Sequence, residues 1–336
     1  MGNATSTAGS GTSRRLMLAL RIGLLALACW ALRRELVGVD PRALVTQLRS
    51  YGWPHVVAGI AFTALSFLTL GIIEVVALRR AAAESPVPRR AGMTTAFIAN
   101  AFSQSIGLAL LTGAAVRLRA YVRYGMNAVG VGRVSAFVTL TVTLGLLATG
   151  AIAFLGSSAP LSIGGVLIPV RLVGAALALT TLTYLAWSMA GTRAVVGRGA
   201  WRIGRPSPTL AATQLSLASA DWLVTGTILF VLLPTSLGLG WLAVLRVYLV
   251  AQTVGSLSHV PGGAGVFELL VLSLFAPLTG PAGRAAIVAS LVMFRALYYL
   301  VPLIGAIGIA ALVELHRAHR GSGRIGDAAM VSGQGG

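Results

Sequence analysis

Ser256–Glu268 reads SLSHVPGGAGVFE, and this stretch decides what kind of fold the chain can have. It interrupts the apolar run Leu242–Leu278 with a His, a Pro, three Gly and a Glu. Proline removes a backbone donor and glycine frees φ, so a helix breaks here. Broken backbone at membrane depth is tolerated only where protein covers it or where it lines a watery cavity. The stretch is therefore the first candidate for a site, provided that the surrounding chain lives in lipid.

Composition says that it does. Of 336 residues, 56% are hydrophobic and 10% charged, whereas soluble domains carry about 25% charged residues. The net charge is +18, from 26 basic and 8 acidic residues, and every basic residue is Arg. Such a charge in a soluble chain would suggest nucleic acid. Here the Arg lie in short clusters between apolar runs, which is the positive-inside pattern and excludes a nucleic-acid partner. Cys29 is alone, so no intramolecular disulfide or cysteine-based metal site is expected. The myristoylation-like start, Met1–Ser6, and the lipobox-like Ala26–Cys29 are short patterns read as chance matches. Arg14–Leu32 has a signal-peptide shape without a suitable cleavage site and reads as a first span.

The expected fold class is all-α, a polytopic transmembrane helix bundle with six to eight spans and two broken or re-entrant segments. A polar tail over residues 1–13, a membrane domain over 14–315 and a basic cytoplasmic tail over 316–336 complete the organisation. Six stretches have full-span length: Leu16–Leu32, Pro54–Leu78, Val134–Leu155, Val166–Met189, Thr209–Leu233 and Arg284–Val313. Asp40–Gln47 reads as a short interfacial helix with Asp40 as its N-cap. The broken stretches are Met93–Val116, which includes Asn100 and Gly113, and Leu242–Leu278, with His259, Pro261, Gly262, Gly263 and Gly265. If Met93–Val116 enters and leaves from one side, the eight Arg from Arg79 to Arg133 share that side, with both termini cytoplasmic. The second stretch then enters from the opposite side. Paired Gly/Pro-interrupted segments in two halves suggest an inverted repeat with the site between them. Alternatively both stretches span fully, which moves one Arg cluster outside.

Chemistry must come from the few polar residues in apolar surroundings. Glu74 and Asp221 lie within spans, where an acid costs roughly 2.5–3.5 kcal/mol on insertion scales and needs a partner or a watery cavity. A structural ion pair of Glu74 with a nearby Arg is the plainer reading beside the functional one. Arg117 follows the apolar run Leu108–Val116, and a guanidinium grips phosphate oxygens bidentately; Tyr121 beside it fits the head-group level. Glu268 ends the Gly-rich stretch, and Arg295, an i, i+4 neighbour of Tyr299, is placed to neutralise Glu268 or a lipid phosphate. Tyr298 and Tyr299 also fit an aromatic belt. No HExxH, GxSxG, Walker-type or paired-Cys motif occurs, so no catalytic set, metal or cofactor is expected.

Four blocks carry a resemblance. LLTGAAVRLRAY (Leu110–Tyr121), LSHVPGGAGVFE (Leu257–Glu268), FRALYYLVPL (Phe294–Leu303) and EVVALR (Glu74–Arg79) resemble, in the same order, blocks of the phosphatidylglycerol lysyltransferase family, the multiple peptide resistance factors. Glu74 stands where that family has Asp. The resemblance implies the flippase-like membrane module without the domain that transfers lysine from aminoacyl-tRNA, hence not an enzyme. It implies roles in a lipid pathway for Glu74, Arg117, Asp221 and Glu268, and for His259, Pro261, Gly262, Gly263 and Gly265 as the broken-helix motif.

The expectation is then a bacterial, inner-membrane flippase or translocator for an anionic, aminoacylated or otherwise modified phospholipid, with a separate lipid synthase as a partner. Two rivals stay open: a membrane enzyme acting on lipid head groups with His259 and Glu268 as acid/base pair, and a non-transporting scaffold for that synthase.

Overall fold

The computed structural model describes residues 41–81, 87–106, 109–157, 161–163, 166–190, 195–196, 203–313 and 315. The Leu16–Leu32 span, the Asp40 cap and the C-terminal tail lie outside the described residues. Helices α1 (Pro41–Ser50), α2 (Trp53–Ala81), α3 (Arg89–Ile106), α4 (Ala109–Tyr121), α5 (Ala128–Leu155), α6 (Val170–Met189), α7 (Pro208–Leu232), α8 (Trp241–Leu257) and α9 (Val266–Arg295) carry nearly all of it. Helix α9 runs on through a π-turn, Ala296–Leu300, to Val313. Two short antiparallel pairs also occur: β1 (Leu161–Ile163) with β2 (Val166–Ile168), and β3 (Val195–Val196) with β4 (Ile203–Gly204). The expected span from Val166 thus begins as a strand and becomes helical only at Val170.

Five helices are long and apolar enough to cross a membrane: Trp53–Arg80, Ala128–Leu155, Val170–Met189, Pro208–Leu232 and Gly283–Val313. They match five of the six full spans read from sequence. At 1.5 Å per residue each is about 30–46 Å long, enough for a hydrocarbon core of about 30 Å. Large apolar side chains such as Ile152, Leu172, Leu179 and Ile304 stay exposed, as lipid-facing positions should. Many hydroxyls on these helices bond back one turn, for example Thr181 Oγ1 to Leu177 O and Thr227 Oγ1 to Leu223 O, which satisfies the donor within its own helix.

Local sequence starts the helices. Asn127 caps α5 by accepting from Gly130 N at 2.8 Å, and Ser207 caps α7 with Pro208 behind it, the expected N-terminal chemistry. Small residues let α5 and α7 close up: a Cβ on Gly145 would collide with Ala218, as at other close membrane crossings. Trp222 Nε1 donates to Val142 O at 2.9 Å across the same contact.

Both broken stretches are helical hairpins. Gly113 on α4 faces Ser103 on α3, so α4 doubles back along α3. Gly92, near the start of α3, lies against Leu78 at the end of α2, and Tyr121 at the end of α4 reaches Glu74. Arg79, Arg80, Arg89, Arg90 and Arg123 therefore gather at one end, the basic end. The second hairpin starts at the opposite end, where Trp241 donates to Thr227. Helix α8 runs inward to Leu257, and the first arm of α9 returns from Val266. Arg295 and Glu268 are bonded although 27 residues apart. A straight helix would separate them by about 40 Å, so the chain must reverse between them. Pro277, Gly280 and Pro281 lie in that interval, and Gly283 sits against Leu237 at the far end. The last span then crosses to Gly305, which touches Phe97 of α3.

The order is thus long helix, hairpin, long helix, twice over: α2, α3–α4, α5 and again α7, α8–α9, last span. Helix α2 runs toward the basic end and α7 away from it, so the two sets have opposite directions in the membrane.

Candidate functional site

The break in the second hairpin is built by backbone geometry. His259 has φ 56°, Gly262 59°, Gly263 61° and Gly265 81°. Left-handed φ is nearly free for Gly and costs other residues roughly 1–2 kcal/mol. Gly263 also packs its Cα 3.7 Å from where a Cβ on Gly255 would lie, so α8 and the break touch backbone to backbone. Glu268 restarts the helix, accepting from Gly265 N at 2.7 Å. His259 is exposed, and among the described residues it makes no hydrogen bond to Glu268.

The tips of the two hairpins meet. A Cβ on Gly262 would lie 3.1 Å from Gln104 O, 3.5 Å from Ser105 O and 3.3 Å from Arg295 Nη1. Arg295 Nε donates to Glu268 Oε1 and Nη1 to Gly262 O, both at 2.5 Å. The guanidinium carbon lies 4.4 Å from the centre of the Tyr299 ring and 5.5 Å from that of Phe267, within cation–π range. Tyr298 and Tyr299 lie in the π-turn and both are buried. They are not belt residues.

A file of polar groups leads from this junction to Asp221. Gln104 Nε2 donates to Tyr298 Oη at 3.4 Å, and Tyr298 Oη lies 3.4 Å from Ser66 Oγ. Ser66 donates to Asp221 Oδ1 at 2.6 Å. Ser66 and Asp221 are near the midpoints of α2 and α7, so the file lies at mid-depth. Asp221 is 6% exposed, and among the described residues it has no cationic partner. Tyr299 adds a bond to Gln252 at 3.3 Å.

Glu74 and Arg117 form a separate unit nearer the basic end. Arg117 Nε donates to Oε1 and Oε2 of Glu74 at 2.8 and 3.0 Å, and Nη2 to Oε2 at 2.7 Å. Tyr121 donates to Oε1 at 2.7 Å. Glu74 is 0% and Arg117 5% exposed. Arg117 is therefore engaged by Glu74, and Tyr121 is buried beside the pair. The plainer reading of Glu74, an ion pair, is the one the geometry has. Asn100 and Gly113 are not at the first break either. Asn100 sits inside α3, bonded to Ala96 O at 2.8 Å, and Gly113 inside α4; the helices part between Ile106 and Ala109.

Sequence reasoning singled out Glu268, Arg295, Asp221 and Tyr299, took Gln104 and Ser105 only as polar interruptions of the first broken stretch, and missed Ser66. Gln104 and Ser105 were legible as polar residues inside an apolar run. Ser66 in a long span had no such signal.

Recesses elsewhere are modest. One of about 400 Å³ lies at the far end between Pro54, His55 and Phe230. Another of about 210 Å³ lies at the basic end between Arg79, Arg80, Thr209 and Thr213.

Among known proteins, the chain is similar to the uncharacterized protein slr0712 of Synechocystis, 30% identical over 296 residues that cover 83% of this chain and 90% of that protein. It is 27% identical to the inner membrane protein YbhN of Escherichia coli over 287 residues, 82% of this chain and 85% of YbhN. It is 28% identical to the phosphatidylglycerol lysyltransferase of Staphylococcus haemolyticus over 106 residues, 31% of this chain and 12% of that protein. That match is shorter than the Glu74–Leu303 stretch over which the motif blocks resemble the lysyltransferases. No family model matches the chain.

Proposed function

The chain belongs to the family of slr0712 and is a multi-pass membrane protein, and from that premise we propose that it moves a phospholipid between membrane leaflets. The observation that carries the reading is the meeting of two hairpin tips at mid-depth beside a buried polar file. A lipid head group needs polar partners to cross hydrocarbon, while its tails can stay in the bilayer. Arg295, Gln104, Tyr298, Ser66 and Asp221 supply such partners between one face and the other. The name of the staphylococcal relative, a phosphatidylglycerol lysyltransferase, supports a phospholipid as cargo, anionic or aminoacylated, and a separate lipid synthase as a functional neighbour. The name of the Escherichia coli relative supports an inner-membrane location, and the positive-inside bias argues for a cytoplasmic basic end and cytoplasmic termini.

In this reading the chain performs no covalent step. Arg295 meets the head group when the junction opens, with Glu268 balancing its charge and Asp221 as the mid-depth acid. The Glu74–Arg117 pair braces the first hairpin against α2.

The test is translocation of a fluorescent phospholipid in proteoliposomes. The intact chain should exceed protein-free vesicles, Asp221→Asn should lower the rate at unchanged melting temperature, and Glu268→Gln should lower it as well. Rates equal to protein-free vesicles overturn the proposal, as do variants that move lipid at the full rate.

A further inference from the structure

Resting on the translocator reading, we infer that Asp221 is a proton-binding site and that lipid movement is coupled to the proton it exchanges. Three acids fall among the described residues, and they are held differently. Glu74 accepts three bonds from Arg117 and one from Tyr121. Glu268 accepts from Arg295 and from Gly265 N. Asp221 accepts a single bond, from Ser66 Oγ to Oδ1 at 2.6 Å. It is buried, and no cation lies beside it among the described residues.

The difference decides the charge. An ionised carboxylate offers about four acceptor sites and, buried without a counter-charge, is costly enough that the group neutralises instead. Glu74 and Glu268 each have a guanidinium to stay ionised against. Asp221 has none, so a bound proton is what balances it. Oδ1 is taken by the Ser66 hydroxyl, which leaves Oδ2 to carry the proton. Donors close to the carboxyl are committed elsewhere: Thr225 Oγ1 to Asp221 O and Trp222 Nε1 to Val142 O, both at 2.9 Å.

Charged and titratable groups on the surrounding elements do not substitute for the proton. Tyr248 of α8 and Tyr298 of the last span are the titratable side chains that feel Asp221, and a phenol brings no positive charge. On α2, Glu74 lies eight residues beyond Ser66, about 12 Å along the helix, and holds Arg117. On α5, Arg133 lies nine residues before Val142, about 13 Å. On α6, Arg171 donates to Ser157 O and Tyr184 to Gln214. Arg246 of α8 donates to Leu242 O, and Arg295 is held by Glu268.

Exchange needs a route, and the polar file supplies one. Ser66 Oγ lies 3.4 Å from Tyr298 Oη, which accepts from Gln104 at the junction of the hairpin tips. Hydroxyls both donate and accept, so these two lead from the carboxyl toward the junction. When the junction opens to one side, the O–H bond at Asp221 breaks and the proton passes to water. The carboxylate left behind takes up a proton when the junction opens to the other side. Only O–H bonds break and form, and one proton crosses.

The experiment is infrared difference spectroscopy of the full-length chain in nanodiscs, as the buffer is taken from mildly acidic to alkaline. It is paired with fluorescent-phospholipid translocation in proteoliposomes under an imposed pH gradient. A protonated-carboxyl band should fall on alkalisation and be missing in Asp221→Asn. Ser66→Ala keeps the carboxyl and removes its one hydrogen bond, so it should shift the frequency of the same band. The gradient should change the translocation rate several-fold, reversing it should reverse the effect, and Asp221→Asn should not respond. A band that persists in Asp221→Asn, or that Ser66→Ala leaves unshifted, overturns the site. So does loss of the band when sodium replaces potassium, which would make the ligand a metal cation. A band that no pH change removes makes the proton a fixed structural one and overturns exchange. A rate indifferent to the gradient overturns the coupling. A titrating band without translocation under any condition would sink the translocator reading and leave the proton site standing. Translocation without such a band would sink this inference alone.

Discussion

At the residue scale the three intramembrane acids have three different fates. Glu74 is closed off by Arg117 and Tyr121. Removing one member of a buried pair leaves an unpaired charge and typically costs about 3–5 kcal/mol, whereas replacing both by apolar groups costs far less. Arg117→Met should therefore lower the thermal midpoint in detergent sharply, and the double variant Glu74→Leu/Arg117→Met should recover most of it. A double variant as unstable as the single would show the pair to act otherwise. Glu268 both caps α9 and holds Arg295, so Glu268→Ala should loosen the break and destabilise by about 1–3 kcal/mol, from the lost cap and the orphaned guanidinium. Asp221 has only Ser66. Asp221→Asn keeps an acceptor for that hydroxyl and should fold normally, with translocation as the property lost.

At the element scale the second break was readable from Pro261 and the glycines alone, because left-handed φ at Gly262, Gly263 and Gly265 has few other solutions. Gly263→Ala should be costly twice over. It strains a φ of 61°, and its Cβ would lie 3.2 Å from the Gly255 backbone. The expected loss is about 1–3 kcal/mol, read as a lower melting temperature, while Gly240→Ala, with nothing within 4 Å, should be nearly silent. The first break was less legible. Asn100 and Gly113 looked like interruptions, yet both fit inside helices: Asn100 turns its amide back on Ala96, and Gly113 gives room to Arg117 and Ser103. The π-turn at Ala296–Leu300 left no trace in the sequence pattern. Leu297, Tyr298 and Tyr299 are all buried along it, although successive residues of a helix point in different directions.

At the scale of the whole molecule the hairpins fix which ends share a side. With Cys29 replaced by Ser, single cysteines at Arg80 and Arg123 should be labelled from one side of the membrane only. A cysteine at Gly238 should be labelled only from the other. Labelling of Arg80 and Arg123 positions from opposite sides would mean that α3 and α4 together cross the bilayer, contrary to the hairpin. The two sets of helices with opposite direction also explain why polar tips meet at mid-depth, since each hairpin reaches only part way from its own side.

Hydropathy by itself determined that this chain is a helical membrane protein, because no other structure satisfies the backbone of twenty consecutive apolar residues in lipid. Glycine and proline spacing determined where one hairpin breaks, because φ is a local property. Which charges pair was decided only by tertiary structure. Arg117 follows an apolar run and Arg295 interrupts one, and neither position names its partner. Packing buried one against Glu74 and left the other at the hairpin junction with a nitrogen that has no partner among the described residues, a difference set by which helices lie beside them.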